Sequence, residues 1–260
     1  MKELLTFETR KILRSKALYI CITISFAFLL LSAAAIFIGM EIEKAFALEE
    51  GIDITAVEEM FASNSAFDIM LSTLSSSSLS SIFGIFAVIF LCDDYSQKTI
   101  KNVYSHGFTR DQVFFSKIIV VAIAAFAAYL LMIILGFFTG LTFFGKVGES
   151  ANVMIFVDQF IILLCNVSLA AFLCFTFKKI SVSVVLLLFA PGIIGLLFSL
   201  ADLLINSDTF HVANYWFGNF ELLIYKNTSA QNILTVLIGG AAYVALFTFL
   251  GLLINRKNEL

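Results

Sequence analysis

Few side chains in this sequence of 260 residues are of a type and spacing to do chemistry. Gly140 to Lys146 reads GLTFFGK and fits G-x-x-x-x-G-K, the loop whose backbone N–H groups and lysine cradle nucleotide phosphates. Val147 stands where Ser or Thr would hold magnesium, and the run closes an apolar stretch instead of joining a strand to a helix. It is therefore refused as a nucleotide site. Cys21, Cys92, Cys165 and Cys174 fall in or beside apolar runs without Cys-x-x-Cys spacing, which reads as small buried hydrophobes. His106 and His211 lie in polar segments that the topology below puts on opposite sides of a membrane, so they cannot share a metal. No metal site and no catalytic residue is predicted, and the chain is not expected to be an enzyme. What remains is a set of polar residues inside apolar runs: Ser75, Ser76, Ser78, Asp158, Gln159, Asn166 and Asp202.

The elements that must position them are membrane spans. The chain is 60% hydrophobic and 13% charged, with 30 Phe, one Pro and a mean hydropathy of +1.00; soluble domains run at about 45–50% apolar and about 25% charged. A span needs about 20 apolar residues, and six runs qualify: 17–40, 69–92, 118–144, 153–177, 182–205 and 231–254. The second is the weakest, because 72–81 reads STLSSSSLSS before IFGIFAVIFL carries the insertion. The first exceeds a signal-peptide core of about 7–15 residues and has no A-x-A site after it, so it is expected to be retained. No segment between runs is long enough for a separate soluble core, and any ATP chemistry would belong to another chain. The fold class expected is all-α, polytopic with six transmembrane helices, as one transmembrane domain over 1–260.

Orientation follows from the bases. With the amino terminus inside, 13 of the 16 Lys and Arg fall inside, leaving Lys44, Lys146 and Lys226 outside; 13 of the 19 acids fall outside. This bias predicts both termini in the cytoplasm, which an even number of spans satisfies. Before the first span, 1–16 reads as an interfacial amphipathic helix with Leu5, Ile12 and Leu13 on one side and Arg10, Lys11 and Arg14 on the other; the plainer alternative is a basic flank. Between runs two and three, 93–117 reads DDYSQKTIKNVYSHGFTRDQVFFSK. A short helix is expected from Tyr95, with Ile100, Val103 and Tyr104 on one side, then a break at Gly107 and a new helix capped by Thr109.

Here the chain resembles type-2 ATP-binding-cassette permeases, particularly those of Gram-positive bacteria. Asp94, Lys98, Thr99, Ile100, Asn102, Ser105, Gly107, Arg110 and Lys117 look like that family's acidic residue, "KTI-N", "S-G-sR" and "K" pattern. The resemblance implies that two permeases pair, as identical copies or with a paralogue, and that each docks a cytoplasmic ATPase carrying the ATP and magnesium; this chain would bind no cofactor. The implied ATPase-coupling residues are Asp94, Tyr95, Lys98, Thr99, Ile100, Lys101, Tyr104, Gly107 and Arg110, with Lys178 and Lys179 as a second contact. Arg110 would pair with Asp94 or with a lipid phosphate. The alternative for each charge is a helix end held among lipid headgroups.

On the outer side, 41–68 holds eight acids and one Lys, and Thr55 with Glu58 fits a capping box for a short helix near Ala56. The segment 206–230 contains the only Trp amid Phe210, Tyr215, Phe217, Phe220 and Tyr225, and is expected to lie in the interface or dip back into it. Asn227-Thr-Ser would be a glycosylation acceptor only in a eukaryote, which the bacterial resemblance argues against. Ser75, Ser76, Ser78, Asp158, Asn166 and Asp202 are the candidate pathway residues, against a packing role for the serines and a wet position for the acids. Pro191, with Gly192 and Gly195, should loosen span five. The expected function is the permease of an exporter of a hydrophobic or amphipathic peptide, bacteriocin or drug, in the bacterial plasma membrane, with lipids and no nucleic acid as further partners. The alternative is a scaffold or sensor that binds an ATPase and transports nothing.

Overall fold

Apolar chain in lipid can satisfy its backbone groups only within helices or closed barrels, and the computed structural model is all-α, with no strand among the described residues. It describes residues 2–50, 65–74, 77–97, 99–105, 107–148, 153–205, 211–221, 223 and 229–257. A short α1 (Lys2–Leu13) leads into α2 (Lys16–Glu50), followed by α3 (Ala66–Leu74), α4 (Ser77–Ser96) and a small α5 (Ile100–Ser105). Then come α6 (Arg110–Phe144), α7 (Val153–Phe177), α8 (Ile180–Ile205), two 3-10 turns (Val212–Tyr215 and Phe217–Asn219) and α9 (Ala230–Lys257).

Among the described residues six helices are long and apolar enough to cross a bilayer: Lys16–Glu49, Leu79–Ser96, Arg110–Phe144, Met154–Phe177, Ile180–Ile205 and Ala230–Lys257. The number agrees with the sequence reading, but three boundaries move. Span one continues to Glu49 instead of stopping near Met40, because helical hydrogen bonding carries on past the apolar run. Span two reaches on to Ser96 instead of ending near Cys92; of its serine-rich start, Ser75 and Ser76 lie outside the described residues. Span three begins at Arg110, since Thr109 and Gln112 cap each other reciprocally there, Thr109 Oγ1 accepting from Gln112 N at 3.3 Å and Gln112 Oε1 from Thr109 N at 3.2 Å. The helix expected near Ala56, Asn227 and Phe210 all fall outside the described residues.

Spans two and four form the centre: 61% of each is buried, against 11% of spans five and six. Phe83, Phe86, Phe114 and Phe175 are wholly enclosed there, and lipid-facing positions such as Leu196, Leu203 and Leu204 are open. Cys92 of α4 and Cys174 of α7 face each other with Cα atoms 5.5 Å apart, while Cys21 and Cys165 are buried elsewhere. The sequence reading had all four as small hydrophobes. Burial is what it had right; periodicity could not show that two of them meet.

The refused GLTFFGK motif has a structural purpose. A Cβ on Gly140 would stand 2.6 Å from Cα of Ala66, so the α3–α6 crossing needs glycine there. Gly145, at φ +66°, closes α6 in the left-handed conformation, its N–H donating to Leu141 O at 2.9 Å. Lys146 O then accepts from Ala66 N at 2.9 Å. Gly140 thus serves helix packing and Gly145 helix termination. Gly140→Ala is accordingly expected to destabilise the folded chain by about 1–3 kcal/mol through forced displacement of backbone. Gly39→Ala, with nothing within 4 Å, should be neutral or slightly stabilising; thermal melting in detergent checks both.

Candidate coupling site and closing segment

The densest polar constellation lies where α1, the end of α4 and the start of α6 converge. Lys117 and Glu8 are completely buried and Asp94 nearly so. Lys117 Nζ contacts Asp94 Oδ2 and stands 3.0 Å from Glu8 Oε1, the latter an ion pair outside hydrogen-bond alignment. Lys11 Nζ lies 2.5 Å from Asp94 Oδ1 and 3.4 Å from Asp93 Oδ2, and Thr99 donates to Asp94 Oδ1 at 3.1 Å. Both ammonium groups sit 5.5 Å from the centre of the Phe90 ring. Burial opposes the charge on Lys11, but the hydrogen bond and field of Asp94, with Glu8 and Asp93 behind, hold its pKa above the ordinary lysine value.

Three segments distant in sequence meet because none of these charges could be buried alone. The facing of α1 differs from the sequence expectation in consequence. Leu4, Glu8 and Ile12 are its buried stripe, Lys11 turns inward and Leu13 is 56% exposed. An acid in the buried stripe was missed, because Glu8 is readable as a packing residue only once Lys117 is known to lie opposite.

Beside this network is a small second core, in which Leu4, Ile100 and Val113 are buried and Tyr95, Val103, Tyr104 and Phe108 pack around them. It clamps α5 between α1 and α6. The helix expected from Tyr95 starts only at Ile100, because α4 runs on to Ser96 and takes Tyr95 with it. Tyr95 packs edge-on against Phe175 with centroids 5.8 Å apart, and its hydroxyl lies 3.4 Å from Asn255 Oδ1. Gly107, at φ +85°, makes the turn before Thr109. Lys98 lies outside the described residues, and of Lys101 only its place in α5 is described.

The cations set on Asp94 are Lys11 and Lys117. Arg110, expected at Asp94 or at a lipid phosphate, sends Nη1 to the carbonyl of Arg256 at 3.4 Å. Arg256 holds Asp111 through two nitrogens, with contacts of 3.0, 3.1 and 2.5 Å, so the last helix is tied to the start of α6. Both ends of the described chain therefore share one side of the bundle. Lys178, at φ +54° in the turn between α7 and α8, places Nζ 5.9 Å from the Tyr95 ring centre, and Lys179 beside it is exposed.

A basic amphipathic entry helix, six apolar spans and a small helix clamped between spans two and three form the architecture against which known families can be compared. The model of the ABC-2 family transporter proteins matches residues 4–195. The chain belongs to that family. It is thus a multi-pass membrane protein, at the plasma membrane in bacteria, and the membrane component of a transporter, a family role that implies an ATP-binding-cassette ATPase as partner. No curated protein matches the sequence.

Of the candidate pathway residues in this ABC-2 chain, Ser75 and Ser76 lie outside the described residues, and Asp158, Asn166 and Asp202 sit in three different surroundings. Asp202 is committed to the outer segment: its carboxylate accepts from Val212 N at 2.5 Å and Ala213 N at 3.0 Å, capping the first 3-10 turn. Asn166 donates to Ile162 O at 3.2 Å on its own helix. Asp158 is completely buried with no hydrogen-bond partner on either oxygen, and Gln159 Nε2 beside it is likewise unpartnered. Ser78 falls within α4, its side chain undescribed, and neighbouring Ser80 donates to Glu221 Oε1 at 2.9 Å.

The stretch 211–221 folds back among the spans. Trp216 Nε1 donates to Pro191 O at 2.9 Å, near the middle of α8, and Tyr243, near the middle of α9, donates to Tyr215 O at 3.1 Å. Trp216, Phe217 and Phe220 are buried, with Phe217 against Phe247 at 5.6 Å between centroids. Glu221 ends this stretch; burial raises its pKa to about 7, against the opposing pull of the Ser80 hydroxyl.

Two predictions follow from these contacts. Lys117→Met leaves Glu8 and Asp94 buried without their cation and should cost about 3–5 kcal/mol, whereas Glu8→Gln, Asp94→Asn and Lys117→Met together should recover most of the loss; thermal melting reads both. For Glu221 the folded-state pKa is raised, so its contribution is complete at low pH and is lost as pH rises through about 7. Fluorescence of Trp216, the only Trp, should shift to the red with a midpoint near pH 7, and Glu221→Gln should abolish the transition.

Proposed function

We propose that this chain is the permease subunit of an ATP-driven exporter, paired with an identical or paralogous permease and driven by a separate ATPase that docks at α5. The observation that carries the reading is the buried Glu8–Lys117–Asp94–Lys11 network. Through it and the small core around Ile100, the docking helix is fastened to α1, span two and span three at once. A push on α5 would be taken up by those elements together, tilting spans two and three. The ATPase would hold the ATP and magnesium; this chain's part is mechanical.

The proposed coupling surface is Tyr95 to Tyr104 with Gly107 and Arg110, and Lys178 and Lys179 form the lesser contact on the same side. The side carrying both termini would face the cytoplasm, as the basic residues indicate. The substrate class proposed is hydrophobic or amphipathic, a peptide, bacteriocin or drug, because the exposed faces of spans five and six are aliphatic and aromatic and would open to lipid.

Affinity purification from the native membrane should recover a soluble ATPase. Replacing Lys98, Lys101 and Tyr104 by Ala should lower its recovery about tenfold, the effect of about 1.4 kcal/mol in affinity, with insertion of the permease unchanged. Undiminished recovery would overturn the assignment of α5 as the docking element. Recovery of an ATPase whose activity answers to no hydrophobic or amphipathic substrate would favour a scaffold.

A further inference from the structure

A cavity of about 570 Å³ opens between α1 and span two, lined by Phe7, Arg10, Lys11, Arg14, Ile89 and Phe90. Its charge is lopsided. Three cations face one carboxylate at its edge, Asp93, and that carboxylate lies 3.4 Å from Lys11. Lys11 is further held by Asp94 at 2.5 Å. Arg10 and Arg14 are exposed and have no carboxylate partner among the described residues. Phe90 is buried and lies within two turns of the end of α4, so the apolar wall of the cavity belongs to a membrane span while its cationic wall belongs to the helix outside it.

We propose that this cavity is a binding site for the headgroup of an anionic phospholipid from the leaflet on that side. Arg10 and Arg14 would hold the phosphate as fork-shaped donors, and Phe7, Ile89 and Phe90 would take the glycerol and the first acyl carbons. A zwitterionic lipid fits less well, because its ammonium would meet three cations. The charge complementarity selects an anion, and the apolar wall continuous with span two selects one that carries acyl chains over a soluble phosphate. The proposal needs only the placement of the chain in a membrane and is independent of what the transporter moves.

The test uses the full chain in nanodiscs of phosphatidylcholine with a minor fraction of phosphatidylglycerol, followed by native mass spectrometry of the lipids retained. The expected result is enrichment of phosphatidylglycerol by about thirtyfold over its bulk ratio to phosphatidylcholine, in line with the contribution of two surface arginines at about 1 kcal/mol each. Arg10→Gln with Arg14→Gln should return retention to the bulk ratio with melting unchanged. Arg10→Lys with Arg14→Lys should keep part of the enrichment, which guards against a variant that merely misfolds. Retention at the bulk ratio in the unaltered chain, or enrichment that survives the double Gln variant, would overturn the proposal. Displacement of the lipid by excess inorganic phosphate would overturn it too, by showing that the acyl chains are not read.

Discussion

An ammonium group completely removed from water, that of Lys117, is the constraint on which one whole end of the molecule depends. Transfer of a lone charge to such a place would cost many kcal/mol, and only opposed charges within a few ångströms make it tolerable. Glu8 and Asp94 supply them, from segments on either side of the first two spans. Once those three residues meet, the tilt of α1, the end point of α4 and the first turns of α6 are no longer independent. The linker between α4 and α6 then has little freedom in where to place α5. Since a buried ion pair adds little net stability over apolar packing of the same volume, its value lies in specifying one arrangement of these elements.

The opposite end is held by a different physics. There the contacts are aromatic edges and single hydrogen bonds, with Trp216 donating to the carbonyl of Pro191 and Tyr243 to that of Tyr215. Gly195 makes room for the fold-back, since a Cβ there would lie 3.1 Å from Asn219 Oδ1. Pro191 removes one N–H from the α8 ladder at the same height. A span weakened at that level and covered by a short segment of 3-10 turns is easier to rearrange than two continuous helices would be. Glu221 stands between this segment and span two, and burial, which favours the protonated form, raises its pKa to about 7.

The sequence displayed the spans clearly, because about 20 apolar residues in a row have few other uses. Asp94, Lys117 and the turn from Gly107 to Thr109 could also be singled out from residue type and spacing. Partner choice could not. Arg110 was expected to pair with Asp94 or with a lipid phosphate, and the cations on Asp94 are two lysines, because which cation is nearest depends on how α1 lies. Amphipathic periodicity placed Ile12, Arg10 and Arg14 on the right sides but not Leu13 and Lys11. Glu8 was invisible for the same reason: an acid in a buried stripe looks like an interruption of the pattern until its counter-charge is seen. Asp202 was open between a pathway role and a wet position, and its contacts to the N–H groups of Val212 and Ala213 could not be read from sequence, since a carboxylate a turn from a helix end can also turn back onto the next segment. The cavity beside α1 needed the fold, as its walls come from residues some 80 positions apart.

Span two links the two ends. Asp94, near its last turn, is locked into the ion network, and Ser80, near its first, is bonded to the closing segment through Glu221. The stretch between them is enclosed by Phe83, Phe86, Ala87 and Val88, all fully buried, and packs chiefly against α7. A continuous helix packed in this way moves as a rigid element, because bending it would open unfilled space in a close-packed interior. Displacement of its Asp94 end must then be felt at Ser80. The hydrogen bond to Glu221 is the first contact in its path, and beyond it lie Phe220, Trp216 and the Pro191 carbonyl of span five. Through one rigid helix, those contacts join the ion network at the Asp94 end of span two to the Pro191 carbonyl of span five, so the two ends of the bundle are parts of one packed unit.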